Sequence, residues 1–406
     1  MRRRQFLLGG AALGAGAALD RVAGAGDARA ADDSAGGGRP RAIPFEGAHQ
    51  AGVLTPQQPH TVIAVFDAIA DSRADLAATI QALSDHGRRL TAGYAALIGA
   101  PGDGPTPDSG ILGRRVPPDG LTVTIGFGAS LFDGRYGLAS RRPLGLKPMP
   151  TFPDDALMPE QTHGDVLLQL CADTQDKLLH ALRDLMRATR GGLAPRWKVE
   201  GFLGERREPG ARRNLLGFKD GTANPDVGDG GLMDRLVWVG AGDGPAWTAG
   251  GTFAVVRTIR NRVEFWDRVA LAEQELMIGR HKASGAPLGR GNETDDPAYD
   301  DDPKGRRIPL DSHIRLARPR MPETEDSRIL RRSYNYSRGV DEAGQLDMGL
   351  VFVAFNRNLE RQFEAVQHRL AGEPLVDYVV PTGGGYFFLP PGAREAQDWV
   401  GSGLFA

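Results

Sequence analysis

The 406-residue sequence contains a single cysteine, Cys171. One cysteine excludes an internal disulfide, and it also excludes the thiolate cluster that holds structural zinc or an iron–sulfur centre. Any metal that this protein binds must therefore be held by histidine, by carboxylates or within a macrocycle. Cys171 ends the apolar run that begins at Val166, so we expect its side chain to be a small, buried hydrophobic group.

The sequence also lacks an excess of one charge and a long hydrophobic run. Lys and Arg number 49 and Asp and Glu 51, which gives a formal net charge of −2 and no basic footprint for nucleic acid. The apolar stretch that runs to about Leu19 is rich in glycine and too short for a stable membrane span, which needs about 20 apolar residues. Hydrophobic residues make up 41% of the chain, so a globular core can form.

The N-terminus has the layout of an export signal. A basic start, Met1–Arg4, is followed by a short Gly- and Ala-rich apolar run and by the small-residue site Ala28–Ala30. The pattern Arg3-Arg4-x-Phe6-Leu7 is of the twin-arginine type. We therefore predict a twin-arginine signal peptide over residues 1–30 and a periplasmic or extracellular protein, with a basic disordered tail as the alternative. Twin-arginine export carries folded proteins, often with a cofactor loaded, which favours a cofactor here.

The remaining chain repeats one pattern four times. An apolar run rich in β-branched and aromatic residues is followed each time by apolar residues at helical spacing, so strand and helix periods alternate. In each half of the chain, a long insertion separates two such units. The four apolar runs are Thr61–Phe66, Val166–Cys171, Thr252–Arg257 and Leu350–Phe355.

This duplication predicts the fold class and the domain boundaries. A β-α, insertion, β-α arrangement in each half is typical of a ferredoxin-like domain, with extra strands such as Leu121–Phe127 completing each antiparallel sheet. We predict an α+β protein of two ferredoxin-like domains of the dimeric α+β barrel type, with their antiparallel sheets packed together. Residues 31–55 are expected to form a linker, 56–210 the N-terminal domain and 211–406 the C-terminal domain. Two unrelated α/β domains are the alternative.

Three side chains in the second half are candidates for chemistry. Asp220 lies in the turn Gly217–Gly221, where two glycines permit unusual backbone geometry and the close approach of a flat ligand. His313 precedes an arginine-rich stretch, and histidine is the commonest proximal ligand of haem iron. Arg331 and Arg332 follow an apolar flank, so one of the two is expected to point inward, and the spacing does not choose between them. The alternatives are an Asx turn for Asp220, a solvent-facing His313 and a surface arginine pair.

An ordered series of motifs resembles the dye-decolourising, or DyP-type, haem peroxidases, specifically their twin-arginine-exported deferrochelatase/peroxidase branch. The series runs through nearly all of the mature chain, and its stretches are Glu46–Val53, Gly217–Pro225, Ile278–Arg280, Gly285–Leu288, His313–Arg320, Leu330–Tyr336 and Gly383–Phe388. This resemblance implies one haem b per chain, held in the C-terminal domain.

The resemblance also implies a role for each matching residue. His313 corresponds to the axial ligand of the iron, Asp220 to the acid–base residue on the opposite side, and Arg331 to the neighbouring cation. The other residues expected to contact the haem are Gly221, Thr222, Ala223, Arg318, Pro319, Arg320, Leu350 and Phe352. One departure is Arg318, where relatives often carry asparagine, and this bears on how a propionate is held. A partner for the second ring nitrogen of His313 is expected but has no assigned residue.

The activity that the resemblance implies is the reduction of hydrogen peroxide and the oxidation of dyes, phenols or porphyrinogens. Because aspartate has a lower reference pKa than histidine, about 3.9 against 6.5, we expect an acidic pH optimum. The alternative function is the release of iron from haem as part of iron uptake, with iron-transport partner proteins. A haem carrier without turnover is disfavoured because it would need neither Asp220 nor Arg331. Hydrogen peroxide and a small-molecule reductant are the expected partners, and a homo-oligomer is kept as an alternative to a monomer.

Overall fold

The structure, a computed structural model, describes residues 41–97 and 106–406. The predicted signal peptide and the first ten residues of the predicted linker therefore lie outside the described residues. Residues 41–55, assigned to the linker from composition, pack against the folded chain. Phe45 and Gln50 are 6% and 5% exposed, and Gln50 Nε2 donates to the carbonyl oxygens of Ile125 and Pro390 at 2.8 and 2.9 Å.

The elements of the first half follow the predicted order. They are β1 (His60–Ala68), α1 (Arg73–Ala92), β2 (Tyr94–Ala95), β3 (Arg115–Val116), β4 (Thr122–Gly128), β5 (Val166–Ala172), α2 (Gln175–Ala188) and β6 (Leu193–Phe202). Helix α1 shows why these segments fold as they do. Ser72 accepts a hydrogen bond from the backbone N–H of Asp75, which stabilises the first turn by about 1 kcal/mol. Leu76, Ile80 and Leu83 then recur on one buried face, as their spacing predicts.

The second half repeats the arrangement with longer connections. Its elements are α3 (Gly230–Leu236), β7 (Thr252–Asn261), α4 (Val263–Trp266), α5 (Leu271–Ile278), α6 (His313–Ala317), β8 (Leu330–Arg331), β9 (Tyr334–Val340), β10 (Leu346–Asn356), α7 (Ala365–Leu370), β11 (Val379–Leu389) and α8 (Ser402–Phe405). A π-helical turn, Glu360–Glu364, leads into α7. The helix expected after β7 is divided, because α4 ends at Trp266 and α5 begins at Leu271.

The long strands form one closed antiparallel ring. The first-half strands are ordered β4-β5-β1-β6 and the second-half strands β11-β7-β10-β9, which is the ferredoxin-like order in both cases. The halves join where β11 pairs with β4 and where β6 pairs with β9. Strand β8 pairs with β10 beside β9. The prediction of two ferredoxin-like domains of the α+β barrel type is confirmed.

Side-chain alternation places two sets of apolar residues on the ring. One cluster joins the two halves across the inner face and includes Ile63, Val65, Val256, Val351 and Phe355. Alternate residues such as Val62, Ala64 and Phe66 belong to the larger cluster with the helices. Cys171 is fully buried, as predicted. Over the described ranges, no helix is both long enough and apolar enough to cross a membrane.

Candidate active site

The turn that carries Asp220 depends on its two glycines. Gly217 and Gly221 have φ values of +86° and +88°, a region that disfavours other residues. A Cβ on Gly217 would also lie 2.6 Å from Cε of Lys282. The backbone N–H of Asp220 donates to the carbonyl of Arg212 at 2.9 Å, so the turn is anchored directly at the residue that carries the carboxylate.

Asp220 and Arg331 form an ion pair. Nη1 of Arg331 donates to Oδ1 of Asp220 at 2.9 Å, and the two side chains are 27% and 21% exposed. Asn224 holds the two segments together, because its Nδ2 donates to the carbonyl of Arg331 at 2.8 Å and its Oδ1 accepts the Arg331 N–H at 3.2 Å. Arg332 points the other way and bonds Oε1 of Gln58. The structure thus distinguishes the two arginines.

His313 opens helix α6 and is oriented by Glu373. Its Nδ1 lies 2.9 and 3.0 Å from the two carboxylate oxygens of Glu373, whose side chain is only 5% exposed. A carboxylate accepts, so Nδ1 carries the proton and Nε2 keeps its lone pair for a ligand. Burial lowers the pKa of His313, but the Glu373 charge and hydrogen bond outweigh burial and raise it above its ordinary value. Glu373 is the partner that sequence reasoning did not identify.

These groups line one large cavity against the helical side of the second-half sheet. Its empty volume is about 1890 Å³, which includes space open to solvent. The sequence-predicted residues that line it are Asp220, Gly221, Thr222, Ala223, His313, Arg318, Arg320, Arg331, Leu350 and Phe352. Pro319 is not among the lining residues, although both of its neighbours are. Leu350 and Phe352 alternate with Val351, which faces the inner core.

One side of the cavity has more cations than its carboxylates neutralise. Arg318 and Arg328 share Glu325, at 3.5 and 3.4 Å, and Arg320 pairs with the exposed Asp296 at 2.8 Å. Burial and then repulsion by Arg328 and Arg320 lower the pKa of Arg318 below its ordinary value. Nε of Arg318 is buried and has no hydrogen-bond partner among the described residues. Such a cluster suits a ligand that brings its own carboxylates.

The donor set fits a haem. A flat macrocycle needs apolar walls, an imidazole with a free nitrogen, and cations for its propionates, and the cavity offers all three. A bare metal ion has less support, since residues 41–97 and 106–406 contain no group of three His, Cys, Asp or Glu side chains arranged to hold one.

Comparison with known proteins supports the same conclusion. The N-terminal model of the Dyp-type peroxidases matches residues 50–203, and the C-terminal model matches residues 211–394. The chain belongs to the Dyp-type peroxidase family. It is a haem-dependent peroxidase that reduces hydrogen peroxide at the expense of a second substrate.

Individual relatives agree with this assignment. Deferrochelatase of Escherichia coli K12 is 52% identical over 366 residues, which cover 89% of this chain and 86% of that protein. Two solved structures, the DyP-type peroxidase of Cellulomonas bogoriensis and an oxyferrous/water mixed complex of DtpA from Streptomyces lividans, each share 35% identity. Each superposes with a TM-score of 0.80 and covers 90% of this chain and 98% of its own. The peroxidase and deferrochelatase functions both fit these relatives.

Proposed function

We propose that this peroxidase holds haem b in the cavity that Asp220, His313 and Arg331 line, where Nε2 of His313 would bind the iron. The observation that carries the proposal is the convergence of two separate devices on one cavity: the Glu373-bound imidazole and the Asp220–Arg331 pair. Hydrogen bonding to Glu373 raises the basicity of the imidazole and fixes its orientation.

Apolar and cationic walls position the macrocycle. Leu350 and Phe352 supply apolar surface from β10, and the turn residues Gly221, Thr222 and Ala223 lie beside Asp220 in the lining. The Arg318–Arg320 segment, including Pro319, and Arg328 form the cationic side that receives the propionates. The guanidinium of Arg318 takes the place of the amide that relatives often carry, and it adds a positive charge there.

Asp220 and Arg331 have different roles in the reaction with hydrogen peroxide. When bound, haem would supply the redox chemistry: two electrons would pass to hydrogen peroxide and later be replaced by the reducing substrate, whose two protons complete the second water. An Oδ atom of Asp220 accepts one proton from the peroxide and returns it to the departing oxygen, which leaves as water. The guanidinium of Arg331 stabilises negative charge on that oxygen and orients the carboxylate through the 2.9 Å hydrogen bond.

A second candidate function is iron release from haem in an exported iron-uptake system. The 52% identity to deferrochelatases supports it, as does the twin-arginine pattern at the N-terminus. This function places the protein in the periplasm or outside the cell, with iron-transport proteins as partners. We also propose that the chain divides into an N-terminal domain over residues 56–210 and a C-terminal domain over residues 211–406, and that it forms a homo-oligomer.

The test compares haem-loaded wild type with His313→Ala, Asp220→Asn and the control Asp234→Asn, an exposed aspartate outside the cavity. We expect His313→Ala to lose ordered haem, as its absorption spectrum reports. Asp220→Asn should keep haem and react slowly with peroxide, and the control should match wild type. Products are assayed for free iron and intact porphyrin. If free iron and intact porphyrin appear without consumption of peroxide, the function is iron release and not peroxidation.

A further inference from the structure

The carboxylate that orients His313 is carried by a tight turn. The N–H of Glu373 donates to the carbonyl of Leu370 at 3.1 Å. Between them, Ala371 has φ −57° and ψ 125°, and Gly372 has φ +72°. These are the dihedral angles of a type II turn, whose second central residue is usually glycine. The position of Glu373 therefore depends on the conformation of this turn.

A residue from the first half of the chain bonds the turn. Oδ2 of Asp154 accepts the N–H of Gly372 at 3.2 Å, across 218 residues of sequence. This N–H takes no part in the hydrogen bond of the turn itself. It belongs to the peptide between the two central residues, and a flip of that peptide distinguishes a type II turn from a type I turn. The bond to Asp154 therefore favours one form of the turn.

Asp154 is itself held by the residues that follow it. Asp155 forms an ion pair with Arg257, and both side chains are only 1% exposed. The N–H of Ala156 then donates to the carbonyl of Pro381 on β11 at 2.9 Å. Because breaking a buried ion pair is strongly destabilising, this segment has little freedom to move. It therefore presents the carboxylate of Asp154 from a fixed position.

The same segment contacts the helical chain that precedes the turn. Nη1 of Arg257 donates to Oε1 of Gln367 on α7 at 3.2 Å. The ring of Phe152 packs edge-on against Phe363, with 6.0 Å between the ring centroids. Asp154 is also the one residue before position 211 among the described residues that line the large cavity. The first half of the chain thus reaches the site proposed for haem.

We propose that Asp154 is a positioning residue for the haem site. By accepting the N–H of Gly372, it holds the turn in the form that directs the carboxylate of Glu373 toward the imidazole. This inference rests on the proposed role of His313 as the axial ligand. It extends the support of the haem site to the first half of the chain, outside the C-terminal domain to which the family resemblance assigns the haem.

Haem titrations of the full chain measure this role. Loss of the bond lowers the fraction of molecules in which the turn is correctly formed, and the apparent Kd rises as that fraction falls. We expect Asp154→Ala to raise the Kd for haem about three- to tenfold, the value of one hydrogen bond. Asp154→Asn keeps an acceptor oxygen and should stay within about twofold of wild type. So should the control Glu264→Ala, which removes a carboxylate that accepts the N–H of Leu346 at 2.8 Å and is not among the described cavity lining.

A double-mutant cycle tests whether Asp154 acts through Glu373. In a Glu373→Ala background, Asp154→Ala should change the Kd for haem by less than about twofold, because the group that it positions is absent. Glu373→Gln serves as the background if Glu373→Ala does not fold. Equal fold-changes in both backgrounds, or a Kd for Asp154→Ala equal to that of wild type, would overturn the proposal.

Hydrogen exchange in the haem-free protein tests the turn independently of haem. The amide of Gly372 should exchange faster in Asp154→Ala than in wild type, and at the wild-type rate in Glu264→Ala. Unchanged exchange in Asp154→Ala would also overturn the proposal. If His313→Ala binds haem as tightly as wild type, the proposed axial ligand is wrong. The exchange rates would then still decide whether Asp154 holds the turn.

Discussion

Replacing Glu373 by glutamine removes the charge that orients His313 while keeping the size of the side chain. The carboxylate contacts Nδ1 of His313 at 2.9 and 3.0 Å and is 5% exposed, so water cannot take its place. A hydrogen bond to a charged group contributes about 1.5–3 kcal/mol, which corresponds to about 10- to 150-fold in affinity. Loss of comparable outer ligands in metal sites costs about 10–100-fold. We therefore expect Glu373→Gln to bind haem about 10–100-fold more weakly.

The assay is a haem titration followed by absorbance, with the rate of haem loss measured on dilution. Glu364→Gln is the matched control, because Glu364 is also buried and ion-paired, at 2.9 Å to Lys147, but does not contact His313. The control should bind haem within a few-fold of wild type. Equal haem affinity in wild type and Glu373→Gln would refute the assignment of His313 as a ligand held by this carboxylate. Equal losses in both variants would point to general destabilisation.

Further predictions concern stability and turnover. Burial alone would raise the pKa of Asp184, but its bonds to His86 and Arg89 lower it from 3.8 to about 2. The ionised form therefore stabilises the fold above about pH 4, and this contribution is lost as pH falls toward 2. Asp184→Asn should lower the free energy of unfolding by about 2 kcal/mol at pH 6, with a difference that shrinks below pH 4 in urea titrations; a constant difference would contradict the linkage. Arg331→Leu should slow the reaction with peroxide about 100-fold at unchanged haem content, whereas Arg332→Met should lower the unfolding midpoint and spare that rate. The opposite result would mean that Arg332, and not Arg331, acts in the reaction with peroxide. Turnover should be maximal at acidic pH if, as we propose, a carboxylate moves the proton, and a maximum above pH 7 would contradict this proposal.

Local patterns in the sequence predicted most of the fold. A strand is indicated directly by the apolar run Thr61–Phe66, and a helix by the spacing of Leu76, Ile80 and Leu83. Burial against the core imposes these patterns on the sequence. The break between α4 and α5 was not predicted. Trp266 is 1% exposed and donates through Nε1 to the carbonyl of Leu216, a tertiary contact that periodicity does not reveal.

The site was less accessible to sequence reasoning. Asp220 and His313 could be singled out because a glycine turn and an arginine-rich stretch mark them locally. Glu373 lies 60 residues beyond His313 in the sequence, just after α7, and only tertiary packing brings the two side chains together. The choice between Arg331 and Arg332 likewise depends on which side of β8 faces the cavity, and that follows from the pairing of Arg331 with Ala354. Contacts that depend on tertiary packing and strand register leave no pattern in the local sequence.

The most direct test of the account is the second-order rate constant for hydrogen peroxide with haem-loaded Asp220→Asn, measured by stopped flow beside Asp234→Asn. We propose that Asp220 transfers the proton, so this rate should fall about 10²- to 10⁴-fold while haem content and the resting spectrum stay unchanged. Asp234→Asn should react as wild type does. A rate for Asp220→Asn within a few-fold of wild type would contradict the central claim that Asp220 transfers the proton.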